Sequence, residues 1–422
     1  MVVLTHRRSL RRQRRAVGRA SPRSVVKIAH VTDFYSPRLG GIETHVSDLA
    51  ERQRAQGHQV IIMTSTPGPQ DPDVRRVTND FRRPGALHPL AVSAGVRVLR
   101  DLDVDVVHAH LGVGSPLAFF LARAAARQGI PTIVTVHSMW AGVAPIMSTM
   151  DALGGWSGLP IVWTAVSEAA AAPVRRQLRP GTPILILANG IDQDQWRRPA
   201  PAERPDELVL VAVMRLARRK RPLALLRLVH RAQAALEREG DPTRLRLVVA
   251  GDGPRQAAME RYVRRHSMTD SITLLGRLDR PAVHDVLGAS HVFLAPADLE
   301  SFGIAALEAR CSGLPVIAKS KGGVGEFIHH EREGLLCESD DDMSDAIVRL
   351  ARDPARRRQM AAHNRTAVCA VAWEPLLELT EAAYATARAA QHLDAAQHLD
   401  AAQHLDAAEH LDALTTVRRG LG

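Results

Sequence analysis

The sequence contains little cysteine and no long apolar run, and each shortage excludes a class of protein. Cys311, Cys337 and Cys369 are widely spaced and form no metal-ligand pattern, so we expect free thiols in a reducing, cytoplasmic compartment. No apolar run reaches the ~18 residues of a membrane span. The basic N-terminus is not followed by an apolar segment either, so we expect no signal peptide.

The net charge of +10 is concentrated near one end of the chain. Residues 1–24 hold eight arginines and no acidic residue, whereas residues 389–412 hold four Asp, one Glu and no Lys or Arg. The rest of the chain is only mildly basic, so nucleic acid is not the expected partner. Blocks of like charge are usually solvated, and we predict a disordered arm over 1–24. The alternative is peripheral contact with an anionic membrane, at the inner face of the cell membrane.

Residues 389–412 repeat the hexapeptide AAQHLD four times, with Glu replacing Gln in the last copy. Six residues turn a helix by about 600°, so the leucines wind around the axis and form no apolar stripe. Four histidines leave a metal site as an alternative, but their spacing does not bring them together. We predict a solvated, partly helical or disordered extension.

From about residue 25, short β-branched runs alternate with segments of helical length. Such continuous apolar strands indicate parallel sheets covered on both faces. The runs form two sets, separated by a polar, proline-bearing stretch at 193–206. The first set is VVKIAHV, HQVIIMTS, VDVVHAH, PTIVTVHS, IVWTAVS and PILILANG, and the second is ELVLVAVMRL, RLRLVVAGDG, SITLLGRL, HVFLAP, LPVIAKS and GLLCES. The sequence therefore predicts an α/β protein with two doubly wound, Rossmann-like domains facing each other across a ligand-binding cleft.

The stretch ADLESFGIAALEA, Ala297–Ala309, places two carboxylates around a predicted helix start. Apolar Ile304 and Leu307 indicate a helix with one buried side. Glu308 lies about one and a half turns into that helix, where an unpaired charge would be costly to bury. Glu308 is therefore expected to face either solvent or a ligand.

The start of this helix is a natural anion site. Ser301, Phe302 and Gly303 open it after the predicted strand HVFLAP and the short segment 297–300, and first-turn amides lack partners and carry partial positive charge. Glycine lets a phosphate approach the backbone closely. Glu300 and Glu308, on either side, can accept hydrogen bonds from hydroxyls. A nucleoside diphosphate sugar has a diphosphate between two hydroxyl-bearing groups and fits this arrangement.

Two further segments favour an anionic ligand. Arg215 and Lys220 follow a predicted strand in VMRLARRKRP, where they could clamp a diphosphate, although a solvated basic helix start is the alternative. Gly40 and Gly41 separate a strand from an amphipathic helix in the first domain and would let phosphate approach from that side. Neither a Walker GK[ST] nor a GxGxxG fingerprint is present there.

His137 ends an apolar strand at the expected edge of the cleft. A structural role is the alternative for this histidine, and the more so for His108 and His110. The segment 138–160 that follows is rich in Met, Trp and Gly. We interpret it either as ordinary packing beneath a cleft loop or as an apolar surface for a lipid or other acceptor.

Taken in order, these segments resemble the retaining glycosyltransferases of glycosyltransferase family 4, which have the two-domain GT-B fold. The resemblance runs from about residue 25 to residue 384. Single motifs are loose, but their order and spacing are specific. The segments that carry it are PRLGGIETHV, VVHAHLGVGSPLAF, TVHS, AVSEAA, ANGID, RLARRK, VVAGDGP, LLGRL, ESFGIAALEA, LPVIAKSKGGVGEFI and the GLL at 334–336.

The resemblance implies roles for particular residues. Glu308 would bind the ribose hydroxyls, Glu300 would hold the transferred sugar, and His137 would contact that sugar near the reacting centre. Catalytic roles are implied for Arg215, Lys220, Glu300 and His137. Donor contacts are implied for Gly41, Arg215, Lys220, Gly276, Arg277, Glu300, Ser301, Phe302, Gly303, Ile304 and Glu308. Acceptor contacts are implied for Gly40, His137 and Trp140.

The resemblance also implies how the chain is divided. An acceptor-side domain would span 25–192, and a nucleotide-sugar domain 193–372, with Asn189 and Gly190 in an interdomain loop. A helix at 373–388 would cross back to the first domain. The arm at 1–24 and the tail at 389–422 are not part of the family pattern.

The implied reaction is transfer of a sugar from a UDP- or GDP-sugar to a hydroxyl of a lipid or other glycoconjugate, with retention at the anomeric carbon. The nucleotide base and the acceptor stay open. No Asp-x-Asp pair follows a strand, so we expect no metal or other cofactor. Two alternatives stay open, a sugar-nucleotide epimerase of similar fold and a non-catalytic protein that binds a polyanion or a membrane.

Overall fold

The structure, a computed structural model, describes residues 25–38, 40–77, 89–140, 149, 151, 155–202, 206–369 and 371–393. The predicted basic arm and the tail from residue 394 lie outside the described residues. The described residues form two entirely parallel sheets, one of seven strands and one of six. The two-domain α/β architecture predicted from the apolar runs is confirmed.

The first sheet has the strand order β3-β2-β1-β4-β5-β6-β7. Its strands are β1 (Lys27–Thr32), β2 (Gln59–Thr64), β3 (Val74–Arg76), β4 (Val106–Leu111), β5 (Thr132–Val136), β6 (Ile161–Ala165) and β7 (Ile184–Ile186). Its helices are α1 (Gly41–Ala55), α2 (Pro89–Asp101), α3 (Pro116–Arg127) and α4 (Glu168–Arg175). The six predicted strands are present, and β3 is an additional short edge strand.

The second sheet has the strand order β10-β9-β8-β11-β12-β13. Its strands are β8 (Glu207–Val213), β9 (Arg244–Ala250), β10 (Ile272–Gly276), β11 (Val292–Ala295), β12 (Val316–Lys319) and β13 (Gly334–Cys337). The short helix α5 (Gln193–Trp196) precedes it. Its other helices are α6 (Pro222–Arg238), α7 (Gln256–Arg265), α8 (Arg280–Gly288), α9 (Ile304–Cys311), α10 (Asp340–Arg352) and α11 (Pro354–Thr366). All six predicted strands of the second set are present.

Residues 373–393 form a further helix, α12, which packs on the first sheet although it follows the second. Tyr384 and its neighbours Ala383 and Ala387 are fully buried in a core with residues of β1 and α1. Gly190 lies against the start of α12, where a β-carbon would be 2.6 Å from the Trp373 ring. The helix continues past the predicted end at residue 388 because Ala, Gln and Leu of the first repeat copy favour helix.

The three cysteines are free thiols, as predicted, and the structure shows that all three are buried. Among the described residues, no helix combines the length and the apolar character that crossing a membrane requires.

Candidate active site between the two sheets

Each sheet reverses its strand order at one point, and the predicted charged residues follow the strands at the reversal of the second sheet. That reversal lies between β8 and β11. Arg215 and Lys220 lie in the segment after β8, and Glu300 lies in the segment after β11. The Lys220 ammonium donates a hydrogen bond to a carboxylate oxygen of Glu300. Ligands of open parallel sheets bind beyond the strand ends at such a reversal.

The GDG turn after β9 holds the backbone of the segment that carries Arg215. The Leu216 amide donates to the carbonyl of Asp252 at 2.7 Å. Gly251 has φ 137°, and a β-carbon there would lie 1.8 Å from the carbonyl oxygen of Met214, so glycine is required for this contact. Within the described part of the chain, the exposed Arg215 side chain has no hydrogen bond or ion pair. Arg215 is thus a cation on a fixed backbone segment, and it has no counter-ion among the described residues.

Helix α9 begins without a side-chain cap. Its N-cap residue, Gly303, has φ 98°, in the left-handed region that favours glycine, and a β-carbon there would lie 2.6 Å from Cγ2 of Val324. Phe302, which is only 3% exposed, packs on Phe327 and anchors the turn. The first-turn amides and the helix dipole therefore favour an anion at this point.

Helix α1 begins opposite α9 on the other side of the cleft. A β-carbon at Gly41 would lie 3.2 Å from Cδ1 of Ile304. The N-cap residue of α1, Gly40, supplies no capping side chain either. Two uncapped helix starts, one from each sheet, therefore face each other with the Ile304 side chain between them.

Arg38 adds a cation that the sequence analysis missed. It stacks on Phe34 with its guanidinium carbon 4.1 Å from the ring centroid, and its Nε donates to Glu43 at 2.9 Å. Burial lowers the pKa of Arg38, Glu43 raises it, and the nearby charges of Arg215 and Arg219 lower it. Arg38 and Arg215 thus lie near enough for their charges to oppose each other, and among the described residues Arg215 has no carboxylate partner, an arrangement that suits an anionic ligand. In the sequence, the one indication of a role for Arg38 is that it lies in PRLGGIETHV, a segment that carries the family resemblance.

Glu308 lines a small pocket between the two sheets rather than facing bulk solvent. Burial raises its pKa to about 8, with Arg280 opposing the shift and Asp48 adding to it. Arg280 Nη1 donates to both carboxylate oxygens of Asp48 at 3.2 Å, which joins α8 to α1 beside this pocket. A carboxyl group that stays protonated near neutral pH can both donate and accept hydrogen bonds, and ribose hydroxyls need both.

His137 lies where the two sheets meet. Its backbone carbonyl accepts a hydrogen bond from the Ser301 hydroxyl at 2.7 Å. The Ser167 hydroxyl in turn donates to the carbonyl of Ser301. Residues Ser301 and His137, predicted separately, are therefore in direct contact. Glu326 adds a further contact between the two halves of the molecule, because its carboxylate accepts hydrogen bonds from the first two amides of α4 at 3.0 Å each.

Behind His137 lies a cluster of buried histidines. His30, His108 and His110 offer nitrogen atoms that lie within 4.8 Å of one another, as the ligands of one metal ion would. Each of their six ring nitrogens, however, has a polar side chain as hydrogen-bond partner. This arrangement favours a hydrogen-bonded cluster over a metal centre, and the expectation of no metal stays a prediction.

Three further predicted contact residues are Gly276, Arg277 and Trp140. Gly276 ends β10 with φ 69°, and Arg277 Nη2 donates to the carbonyl of Pro37 at 3.0 Å, which links the second sheet to the loop after β1. Trp140 is only 3% exposed and packs edge-to-face on Trp163. That burial favours packing over the acceptor contact proposed for Trp140, and residues 141–148 of the same segment lie outside the described residues.

Two family models match adjoining parts of the chain. The model of Glycosyltransferase Family 4 matches residues 39–195, and the model of Glycosyl transferases group 1 matches residues 193–367. The first range contains the Gly41 helix start and His137. The second contains Arg215, Lys220, Glu300 and Glu308.

Similarity to known proteins extends over most of the chain. One phosphatidylinositol N-acetylglucosaminyltransferase subunit of Arabidopsis thaliana is 26% identical over 375 residues, which cover 85% of this chain and 81% of that protein. The GDP-mannose-dependent alpha-(1-6)-phosphatidylinositol monomannoside mannosyltransferase of Mycobacterium tuberculosis is 27% identical over 372 residues, covering 82% of this chain and 94% of that protein. Anabaena HepE, solved in complex with UDP-glucose, superposes with a TM-score of 0.66 at 18% identity, over 86% of this chain and 99% of that one.

Proposed function

Because this chain belongs to the family 4 glycosyltransferases and has the GT-B fold, we propose that it moves a sugar from a nucleoside diphosphate sugar to an acceptor hydroxyl with retention at the anomeric carbon. The observation that carries the proposal is the meeting of two uncapped helix starts beside Arg215, Lys220 and Glu300. These groups suit a diphosphate with a sugar attached.

The proposed roles of the charged residues follow from where charge develops during the transfer. As the anomeric bond breaks, the sugar approaches an oxocarbenium ion and negative charge builds on the departing diphosphate. Arg215, Lys220 and the first amides of α9 would stabilise that charge more in the transition state than in the ground state. Glu300 would hold the sugar, and it would release Lys220 to the diphosphate when the donor binds.

Retention would follow if the acceptor hydroxyl attacks the face that the diphosphate leaves, while the diphosphate takes up the hydroxyl proton. No side-chain nucleophile is assigned. We propose that the reaction needs no divalent metal, because fixed cations and helix amides would supply the charge stabilisation that a metal ion provides elsewhere.

The relatives support a nucleotide-sugar donor without fixing the base. One similar structure holds UDP-glucose, and the mycobacterial relative is GDP-mannose-dependent. Two relatives are named for transfer to phosphatidylinositol or a phosphatidylinositol mannoside, which supports a lipid acceptor and contact with a membrane surface. Membership of a glycosyltransferase family favours transfer over epimerisation, and it favours an enzyme over a non-catalytic polyanion-binding protein.

The first test is the thermal stability of the purified protein with UDP-, GDP- and ADP-sugars in the presence of EDTA. A ligand at 100 times its Kd adds about 2.7 kcal/mol of stability, which appears as a rise in melting temperature. We expect one nucleotide family to raise the melting temperature and the others to leave it unchanged.

Glu308→Ala should reduce that rise, because the ribose hydroxyls lose their partner. The matched control is Glu260→Ala on α7, a partly exposed glutamate away from the cleft. If no nucleotide sugar raises the melting temperature of the wild-type protein, the proposed function is wrong and the fold still stands.

A further inference from the structure

Eight buried side chains behind the cleft form one unbranched chain of hydrogen bonds that ends on a backbone carbonyl. This chain of hydrogen bonds crosses the first sheet and includes one residue of α1, Gln53, and one of α12, Tyr384. In order, its members are His137, His110, His30, Gln53, Tyr384, His108, Thr135 and Thr164, followed by the carbonyl of Val134. The successive donor–acceptor distances are 3.0, 2.8, 2.7, 2.8, 3.1, 2.7, 2.6 and 3.1 Å. All eight are within hydrogen-bonding distance, and the last, from the Thr164 hydroxyl to the Val134 carbonyl, is slightly longer than the usual O–H···O length.

The Val134 carbonyl determines which group donates and which accepts in each hydrogen bond from Thr164 to Tyr384. A carbonyl oxygen only accepts, so the Thr164 hydroxyl must donate to Val134 and accept from the Thr135 hydroxyl. Thr135, having donated, must accept from Nε2–H of His108. A neutral imidazole has one N–H, so Nδ1 of His108 accepts from the hydroxyl of Tyr384.

From Tyr384 to His137 each hydrogen bond is likewise directed by the one before it. The Tyr384 oxygen, having donated its proton to His108, accepts from the amide NH₂ of Gln53, so the Gln53 carbonyl faces His30. His30 must then donate from Nε2 and accept at Nδ1 from Nε2–H of His110. His110 in turn accepts at Nδ1 from Nε2–H of His137. Every link is therefore fixed by the one before it, including the orientation of the Gln53 amide.

These hydrogen-bond directions require all four imidazoles to be neutral. Burial is the main cause that lowers the pKa of His30, to about 4, and burial also lowers the pKa values of His108, His110 and His137 well below the usual range. The chain contains no carboxylate that would stabilise an imidazolium. Near neutral pH all four histidines are uncharged, so each has one donor and one acceptor nitrogen.

We propose that this hydrogen-bond chain holds His137 in the Nε2–H tautomer, so that its Nδ1 keeps a free lone pair, and that Gln53, Tyr384 and Thr164 are positioning residues for His137. Nδ1 makes no hydrogen bond to any described residue. If the proposed function holds, which this last step assumes, Nδ1 accepts a hydrogen bond from a sugar or acceptor hydroxyl in the cleft. The tautomer itself does not depend on that function.

The reverse direction would satisfy the side chains almost as well, and only the carbonyl opposes it. In that case a Thr164 lone pair would face the Val134 oxygen at 3.1 Å, which is repulsive. His137 would carry its proton on Nδ1 instead. Removing the Thr164 hydroxyl removes this repulsion from the reverse arrangement. In the arrangement proposed here, it also leaves the Thr135 hydroxyl without its acceptor.

The test is the tautomer of His137 in the ligand-free, full-length protein labelled with ¹⁵N-histidine. Long-range ¹H–¹⁵N correlation spectra distinguish the two neutral tautomers, and the His137 signals are assigned from their loss in His137→Gln. For the wild type we expect the Nε2–H form alone. In Thr164→Val, which is nearly isosteric, we expect Nδ1–H to become the major form. In Tyr384→Phe, which lets the Gln53 amide turn over, we expect both forms.

Tyr262→Phe is the matched control, because it removes a hydroxyl that lies 3.3 Å from His230 in the other half of the molecule. It should leave His137 in the Nε2–H form. The proposal is overturned if the wild type carries the proton on Nδ1, or if Thr164→Val keeps the wild-type tautomer. Should Tyr384→Phe not fold, Thr164→Val and the wild-type spectrum still decide. Loss or absence of transferase activity would bear only on the proposed function.

Discussion

Arg215 and Lys220 differ in their partners, although both were predicted to clamp a diphosphate. Lys220 is already paired with Glu300, whereas Arg215 makes no ion pair with the described residues. An incoming diphosphate would therefore gain Arg215 without displacing anything, but it would have to compete with Glu300 for Lys220. The two cations should contribute differently to ground-state binding.

We expect Arg215→Ala and Lys220→Ala to lower kcat by roughly 10²–10³-fold, the range seen when one preorganised donor to a developing charge is removed. Both changes should lower kcat far more than donor affinity. Steady-state kinetics with the donor identified by melting would measure this. Arg218→Ala, an exposed arginine of the same turn, is the control and should behave as wild type. An effect confined to KM would indicate uniform binding instead.

At the residue scale, the sequence was informative where a charged residue follows an apolar strand. Arg215, Lys220 and Glu300 could be selected because strand ends of parallel sheets meet at one edge, and Glu308 because it is a charged residue inside a helix with a buried side. Arg38 could not, because its nearness to Arg215 depends on how the two sheets face each other. The hydrogen bonds of Tyr384 could not be predicted from the sequence either, since 331 positions separate it from its partner Gln53.

Among the helices, α9 contributes most to the candidate site, and a glycine lies at each of its ends. Gly303 before α9 has φ 98° and Gly313 after it has φ 93°. Only the first lies at the cleft. A β-carbon at Gly313 would instead meet the Arg365 side chain at 2.5 Å.

We expect Gly303→Ala and Gly313→Ala each to destabilise the fold by roughly 1–3 kcal/mol, because alanine is strained at these dihedral angles. Only Gly303→Ala should also weaken donor binding, since it displaces the first-turn amides from the anion position. Urea unfolding would give the stabilities, and calorimetric titration with the donor would give the affinities. Equal affinities in the two variants would mean that the α9 start does not hold the diphosphate.

At the element scale, length and apolar character decided what could be predicted. Twelve of the thirteen strands follow continuous apolar runs, and β3 does not, because it has three residues, two of them arginines, at a sheet edge. The predicted boundary at residue 192 lies between β7 and β8 and stays a prediction. Helix α12 reaches at least residue 393, past the predicted residue 388, because the alanine-rich repeat contains no stop signal; this agrees with the partly helical extension predicted for the repeat.

Across the whole molecule, buried titratable groups make stability depend on pH in two opposing ways. Burial lowers the pKa of five histidines around the first sheet, which are His30, His45, His108, His110 and His137. Below about pH 6.5 the unfolded chain therefore binds protons that the folded chain does not, and stability falls as the pH falls. Asp33, with its pKa raised to about 6, and Glu308, raised to about 8, act in the opposite sense.

Five histidines outweigh two carboxyl groups, so we expect the free energy of unfolding to decrease steeply between about pH 7 and pH 5.5. Each unopposed proton changes it by about 1.4 kcal/mol per pH unit. Urea unfolding at constant ionic strength across this range would measure the slope. Glu308→Gln should steepen the fall, because it removes a group that the folded state keeps protonated. A stability that does not change with pH would contradict the burial of the histidines.

The return of α12 to the first sheet has a consequence for how the chain acquires its structure during synthesis. The core of the first half contains Ala383, Tyr384 and Ala387, which leave the ribosome after the whole second half. The first half cannot complete that core as it is synthesised, and its polar side chains, such as Gln53, lack a partner until α12 is made after the second sheet. Such long sequence separation slows folding and prolongs exposure of unfinished surface. A nascent chain of this protein therefore needs α12 before the core of its N-terminal half can close.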